Sequence, residues 1–210
     1  MSQRKGFPVV VAAPSGTGKT TVCREVVARD PAIEFSVSHT TRPKRPMETD
    51  GVDYHFVSAK EFERLVGDGA FLEWAVYNGN RYGTSWAAID EPLRRGRDVL
   101  LEIEVQGARQ VRERRADARF VFLLPPALAT LRERLEQRGS DDRAAIAKRL
   151  EIARREIEEG ARFDYAVVND SLETCVAEVL AILAAERASD TAQLRARHAP
   201  APAIARLVSG

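Results

Sequence analysis

The sequence predicts a three-layer α/β fold with a central parallel sheet, an inserted small antiparallel subdomain and a helical lid. Three observations carry that expectation. The run Pro8-Val9-Val10-Val11-Ala12 is continuous and β-branched, as in a strand buried on both faces, and leads through a Gly-rich turn into a helical pattern. Further apolar runs at residues 98–105, 120–124 and 165–168 alternate with helical periodicity, which is the pattern of β/α units. Between them, residues 54–84 read instead as short strands closed by an Asn-Gly turn.

The turn after the first strand is Ala13-Pro14-Ser15-Gly16-Thr17-Gly18-Lys19-Thr20. Apart from Ala13 in place of the usual first Gly, it matches Gly-x-x-x-x-Gly-Lys-[Ser/Thr], the phosphate-binding P-loop. There backbone N–H groups wrap a phosphate, the Lys reaches β/γ oxygens and the hydroxyl ligates Mg2+. Ala13 is compatible with that role if its φ is negative. Val22, Val26 and Val27 then recur at helical spacing, so the loop opens a helix N-terminus that favours anions. The bland alternative is a Gly-rich turn without a ligand.

Composition narrows the classes. With 210 residues, 44% of them hydrophobic, the chain can bury a substantial core as one domain. Its 32 Lys and Arg against 31 Asp and Glu give no global field for nucleic acid or an anionic membrane. Cys23 and Cys175 lie far apart without ligand spacing, so buried free thiols are expected. No apolar stretch is long enough for a bilayer and no signal segment precedes the first strand, which together read as cytoplasmic. Several helices could supply an isologous surface, so a homo-oligomer is compatible with the chain.

Residues 33–57 are polar and irregular. Pro43 and Pro46 exclude a helix through Arg42 and Arg45, which are therefore presented from extended or loop backbone. Paired arginines suit a phosphate; a solvated basic loop is the competing reading. Strands are expected at Tyr54–Val57, Leu72–Tyr77 and Asn80–Thr84, with a helix near Ala59–Val66 and a tight turn at Asn78-Gly79. Glu73 and Tyr82 would be ordinary strand residues if taken alone.

A helical pattern at 87–95 precedes Asp98-Val99-Leu100-Leu101-Glu102-Ile103-Glu104-Val105, read as one buried strand. Glu102 and Glu104 are two apart, so they are expected on one strand face near the C-terminal end, where open α/β sheets bind ligands. Such carboxylates can hold a hydrated Mg2+ or accept from a base edge; exposed strand-end charges are the alternative. The strand Phe120–Leu124 stops at Pro125-Pro126. Two helices follow, one with Leu128, Leu131 and Leu135 inward and Arg134 and Arg138 on another face, the next with Ile146, Leu150, Ala153 and Ile157 inward beside Arg149. Gly139–Asp142 separates them, and the pair is expected either as a lid over phosphates or as a surface hairpin of Arg–Glu pairs. Tyr165–Val168 is the last strand, Asn169-Asp170-Ser171 a turn and cap, and Val176, Val179, Leu180 and Leu183 a final helix. Residues 189–210, rich in Ala, Arg and Pro with weak periodicity, are expected to be a peripheral tail, partly helical or disordered.

Taken together, these motifs resemble bacterial guanylate kinase over about Val9 to Arg187. The resemblance rests on Ala13–Thr20, Ser36-Val37-Ser38-His39-Thr40-Thr41-Arg42-Pro43-Lys44-Arg45 and Gly51-Val52-Asp53-Tyr54. It extends through Phe71–Trp74, Gly79–Thr84, Gln106-Gly107-Ala108, the Arg134/Arg138/Arg149 set and Val168-Asn169-Asp170.

The resemblance implies one domain over 1–210: a core of about 1–35, 86–125 and 162–188, a GMP-binding insertion of about 36–85 and a lid of about 126–161. It implies ATP, with Mg2+, as phosphoryl donor, held by Ala13, Pro14, Ser15, Gly16, Thr17, Gly18, Lys19, Thr20 and Asn169. GMP or dGMP would be the acceptor. Ser38, Arg42, Arg45, Tyr54 and Tyr82 would surround its phosphate, with Glu73, Gly83, Thr84 and Glu104 at the base. Lys19, Arg45, Arg134, Arg138 and Arg149 would stabilise the transferring phosphoryl, and Thr20 and, through water, Glu102 would serve the metal. The family usually carries Asp at the positions of Glu102 and Glu104, so the reach here is one methylene longer. Guanine offers N1–H and N2–H2 donors that a carboxylate such as Glu73 can accept, while adenine would leave that acid unpaired. Same-fold kinases of another small acceptor, and guanylate-kinase-like modules that bind protein ligands, are the alternatives; Glu73 with Thr84 disfavours the former and Lys19 with Thr20 the latter.

Overall fold

The computed structural model describes residues 5–137 and 143–209. β1 (Pro8–Ala12) is buried at every position, as its Val run demands. α1 (Lys19–Arg29) turns Val22, Cys23 and Val26 inward behind Gly18. β2 (Ile33–Phe35), β3 (His39–Thr40) and β4 (His55–Phe56) are short strands of the polar stretch, of which only the last was expected, over 54–57. α2 (Ala59–Gly67) is capped by Ser58, whose hydroxyl accepts from the Glu61 N–H at 3.1 Å. β5 (Phe71–Tyr77) and β6 (Asn80–Ser85) form the hairpin, with Asn78 and Gly79 at φ 50 and 78, the doubly positive turn that matches strand twist.

α3 (Ala87–Arg94) and β7 (Asp98–Glu102) follow, then α4 (Val105–Arg114). This corrects the single strand expected over 98–105. The strand ends at Glu102, and Glu104 is the N-cap of α4, so the two acids do not share a strand face. From Val105 onward the apolar residues fall at Val105, Ala108 and Val111, a helical spacing that buries all three. β8 (Arg119–Leu124), α5 (Leu128–Gln137), α6 (Arg143–Gly160), β9 (Tyr165–Val168) and α7 (Leu172–Ala188) complete the expected order. The segment expected as a peripheral tail, partly helical or disordered, forms α8 (Ala192–Arg197) and α9 (Pro200–Ser209).

The larger sheet has five strands in the order β2-β7-β1-β8-β9, with β2–β7 and β8–β9 parallel. The smaller has the order β4-β3-β6-β5; β3–β6 and β5–β6 are antiparallel and β3–β4 is parallel. By internal contacts the chain divides into two compact units, Met1–Val10 with Pro31–Arg119, and Val11–Asp30 with Phe120–Gly210.

In the first unit, Phe62 stacks on Phe71 at 4.7 Å between ring centroids and meets Trp74 edge-on, which fixes α2 beneath the small sheet. α4 packs along β5. In the second unit, α1 packs on α7, and Arg29 of α1 donates to Glu173 at 2.7 Å. There α9 lies against α6 and β9 with Ile204 and Leu207 buried, and the His198 carbonyl accepts the Ala166 N–H at 2.8 Å. The Tyr165 hydroxyl donates to Glu186, which also accepts from Arg195 at 2.7 Å. Cys23 and Cys175 are free and buried as expected, and burial pushes the Cys175 thiol up to about 12. Among the described residues, no helix is long and apolar enough to cross a membrane.

Candidate active site

The loop after β1 belongs to the second unit. Gly16 and Gly18 have φ of 91 and 92, values that favour glycine, and Gly18 is the N-cap of α1. Among the described residues, Asn78 and Ser189 are the non-glycine positions with positive φ, so Ala13 meets the condition set for it. The N-cap glycine has no side chain with which to cap α1, and a helix N-terminus favours an anion. Lys19 and Thr20 open the helix, Lys19 half-buried and Thr20 exposed.

Thr17 is fully buried, and its carbonyl is the anchor of the loop. It accepts from the Asn169 carboxamide at 2.6 Å and from the Arg134 guanidinium at 3.2 Å. The loop is tightened from within by the Thr17 N–H, which donates to the Pro14 carbonyl at 3.2 Å. Asn169 sits so close that a Cβ on Gly18 would come within 2.9 Å of its Nδ2. Thus Asn169, expected among the residues that hold the donor, has its Nδ2 engaged with the loop. A cavity of about 400 Å³ opens here, lined by Gly16, Gly18, Thr21, Arg134, Asn169 and Asp170, among others. Arg149 is half-buried on α6; Arg138 lies outside the described residues, as does Gly139–Asp142.

The residues expected around GMP belong to the first unit. Glu73 and Thr84 face each other across β5 and β6, and the Thr84 hydroxyl donates to Glu73 Oε1 at 2.6 Å. Ser38 Oγ lies 3.2 Å from Thr84 Oγ1. Glu73 is 4% exposed, so its placement demands polar partners. A register shift between Phe71 and Glu73 re-aims the strand at this point.

α4 secures that irregular strand, a role absent from the sequence reading. Arg114 donates to the Leu72 carbonyl at 2.6 Å. Gln110 accepts from the Trp74 N–H at 3.3 Å and donates to the Trp74 carbonyl at 2.7 Å, pairing with β5 as a neighbouring strand would. Gly107 faces Glu73, and a Cβ there would overlap the carboxylate. Gly83 is required for a different reason: a Cβ would press on Trp74 at 3.0 Å and on Phe62 and Phe71 at 3.1 Å.

Arg42, Arg45, Tyr54 and Tyr82 gather at the other end of this constellation. Arg42 lies over the Tyr54 ring at 5.4 Å, and the Tyr54 and Tyr82 rings are 5.9 Å apart. Glu48, which the sequence reading passed over, binds the Arg42 fork through both carboxylate oxygens, at 3.0 and 2.7 Å. The Arg42 guanidinium, with the Arg45 N–H, holds the Glu48 carboxyl below the usual carboxylate range, and Glu48 in turn raises Arg42. Glu102 ends β7 and Glu104 caps α4, both half-buried.

A glycine-capped helix behind a Gly-rich loop, on a parallel α/β sheet, defines the P-loop class of nucleotide-binding folds. A family model described as Guanylate kinase matches residues 5–186. The chain is 50% identical over 184 residues to the guanylate kinase of Symbiobacterium thermophilum, covering 88% of this chain and 87% of that one. It is 50% identical over 182 residues to that of Alkalilimnicola ehrlichii, with 87% and 90% covered. A crystal structure of guanylate kinase from Anaplasma phagocytophilum matches with a TM-score of 0.74 at 32% identity over 89% of each chain. The chain belongs to the guanylate kinase family. It is accordingly an enzyme, a kinase that uses ATP and converts GMP to GDP.

Proposed function

We propose that this chain phosphorylates GMP, and dGMP with it, by assigning the base to Glu73 and Thr84 and the acceptor phosphate to Ser38, Arg42, Arg45, Tyr54 and Tyr82. The observation that carries this is the buried Glu73–Thr84 pair at 2.6 Å, an acceptor and a hydroxyl set side by side as guanine's donor-rich edge requires. These contacts address base and phosphate, which is why the deoxynucleotide is included.

The donor is assigned to residues 13–20, with Lys19 on its β/γ oxygens and Asn169 and Arg134 holding the loop that wraps them. Arg45, Arg134, Arg138 and Arg149 are assigned to the charge of the transferring phosphoryl, α5 and α6 acting as the lid. The GMP phosphate has its second pKa near ~6, so an anionic oxygen is available near neutral pH and no general base is needed. Transfer then depends on positioning and charge neutralisation.

Among the described residues there is no cluster of three or more His, Cys, Asp or Glu that could cage a metal. Mg2+ is bound through few protein oxygens together with substrate phosphates, and the Thr20 hydroxyl is a donor of that kind. Thr20, exposed at the start of α1, and Glu102, through water, would hold it. When bound it would supply charge neutralisation between the β- and γ-phosphates. A cytoplasmic setting is assigned on the two buried free thiols, which suit a reducing compartment.

The test is ADP formation measured with GMP, dGMP, AMP, CMP and UMP as acceptors. Turnover with GMP and dGMP and little with the others is expected; absence of GMP-dependent turnover sinks the assignment. Lys19→Ala should fold normally and lose orders of magnitude in turnover, and a folded variant at wild-type rate removes Lys19 from the mechanism.

A further inference from the structure

One loop wraps itself around a single carboxylate. Glu48 Oε1 accepts from Arg42 Nη2 at 2.7 Å, while Oε2 accepts from Arg42 Nη1 at 3.0 Å and from the Arg45 backbone N–H at 2.8 Å. The Glu48 N–H donates back to the Arg45 carbonyl at 3.1 Å, closing the turn through Pro46 and Met47. The side chains of Arg42 and Glu48 are 14% and 15% exposed, whereas that of Arg45 is 72% exposed and reaches Glu48 Oε1 at 3.9 Å. One arginine is therefore held and the other is an open arm.

A guanidinium offers five N–H donors in one rigid plane. Glu48 takes the end edge of Arg42, and the Pro43 carbonyl takes a further Nη1 hydrogen at 2.8 Å. The Tyr54 and Phe56 rings, 5.4 and 5.6 Å below, fix the plane itself. These bonds do not involve the side edge, Nε with the second Nη2 hydrogen. A side edge of this kind is itself a bidentate site for a phosphate.

We propose that Glu48 is a positioning residue for the acceptor phosphate. Its carboxylate locks the plane of Arg42 and the backbone at Arg45, so that the side edge of Arg42 and the exposed Arg45 arm are presented to GMP. The proposal rests on the assignment of Arg42 and Arg45 to that phosphate. Glu48 does not cancel the attraction, because two guanidiniums against one carboxylate still leave a net positive charge for a dianion.

The test compares wild type, Glu48→Gln and Arg42→Ala by calorimetric binding of GMP and of guanosine, with steady-state kinetics and thermal melting. For Glu48→Gln the expected result is GMP affinity weakened about 10-fold or more, in proportion to a lost charge-assisted bidentate pair. Guanosine affinity and the KM for ATP should stay within about 2-fold, since the base and donor contacts are untouched. GMP affinity that is unchanged overturns the proposal, and tighter GMP binding would make Glu48 a competing anion instead. Equal weakening of GMP and guanosine also overturns it, as a general structural effect. If Arg42→Ala binds GMP normally, the phosphate assignment itself fails; if it weakens GMP while Glu48→Gln does not, only the role of Glu48 fails.

Discussion

Asn169 and Arg134 donate to one acceptor, the carbonyl of Thr17, one from just after β9 and the other from α5. The carboxamide bond at 2.6 Å is buried, whereas the guanidinium bond at 3.2 Å is partly exposed. The two donors therefore differ in what they contribute: Asn169 fixes the loop's shape, and Arg134 is a charge parked beside it.

Substitution should separate those contributions. Asn169→Ala removes a buried bond and should cost about 1–3 kcal/mol of stability. Arg134→Ala should cost less stability but reduce kcat by about 10³-fold or more, as loss of a phosphoryl-facing arginine does. Melting curves beside single-turnover rates decide it, and an Arg134→Ala enzyme with unchanged kcat would place that side chain outside the chemistry.

Base selectivity should collapse at Glu73. With Glu73→Gln, the ratio of kcat/KM for GMP over AMP should fall by about 10²-fold or more, because a site built on a buried polar contact discriminates by leaving that contact unpaired. The pair's 2.6 Å bond to Thr84 keeps a polar partner for the new amide, so folding should survive. An unchanged ratio removes Glu73 from guanine recognition.

Gly107→Ala offers an independent test of the same pocket. The added methyl would overlap the Glu73 carboxylate, so KM for GMP should rise at least about 10-fold with KM for ATP little changed. Equal kinetics for Gly107→Ala and wild type would show that Glu73 has room to move.

Stability should fall on acidification from pH 7. Burial lowers His39, helped by the neighbouring His55, and burial lowers His198, so both are neutral in the fold. Below the ordinary histidine value of about 6.5 the unfolded chain binds protons that the folded chain does not, which removes stability until the pH passes the lowered folded values. His39→Gln should flatten part of the melting-temperature profile below about pH 6.5, and a profile identical to wild type would dissociate His39 from it.

The tail should matter to the fold. Leu207 is 8% exposed on α9, so Leu207→Ala should cost about 2–3 kcal/mol in denaturant unfolding. A loss below about 0.5 kcal/mol, the scale of an ordinary surface change, would make the segment a passive appendage.

Much of this was legible in the residues themselves. Pro8–Thr20 combines an all-buried strand with glycines that need positive φ, and Asn78-Gly79 needs it twice, so both are written in local chemistry. Glu73 and Thr84 were legible only through the family resemblance, since either could be an ordinary strand residue. β2 and β3 escaped because strands of three and two residues carry no periodicity. α4 escaped because its buried residues are few among charges, and with it went Gln110 and Arg114, whose partners are backbone atoms of β5 that no pattern announces. Glu48 escaped because a carboxylate in a basic loop reads as solvated until its bidentate partner is seen. Ile204 and Leu207 sit among alanines, and burial rather than pattern marks them.

The anchoring of Thr17 also sets an order of events during synthesis. Its two donors lie 117 and 152 residues further along the chain, and the helix that begins beside it packs on α7. A ribosome delivers the loop well before its supports. A nascent chain carrying residues 13–20 alone therefore has the motif without the partners of the Thr17 carbonyl, which are present only once Asn169 has been synthesised.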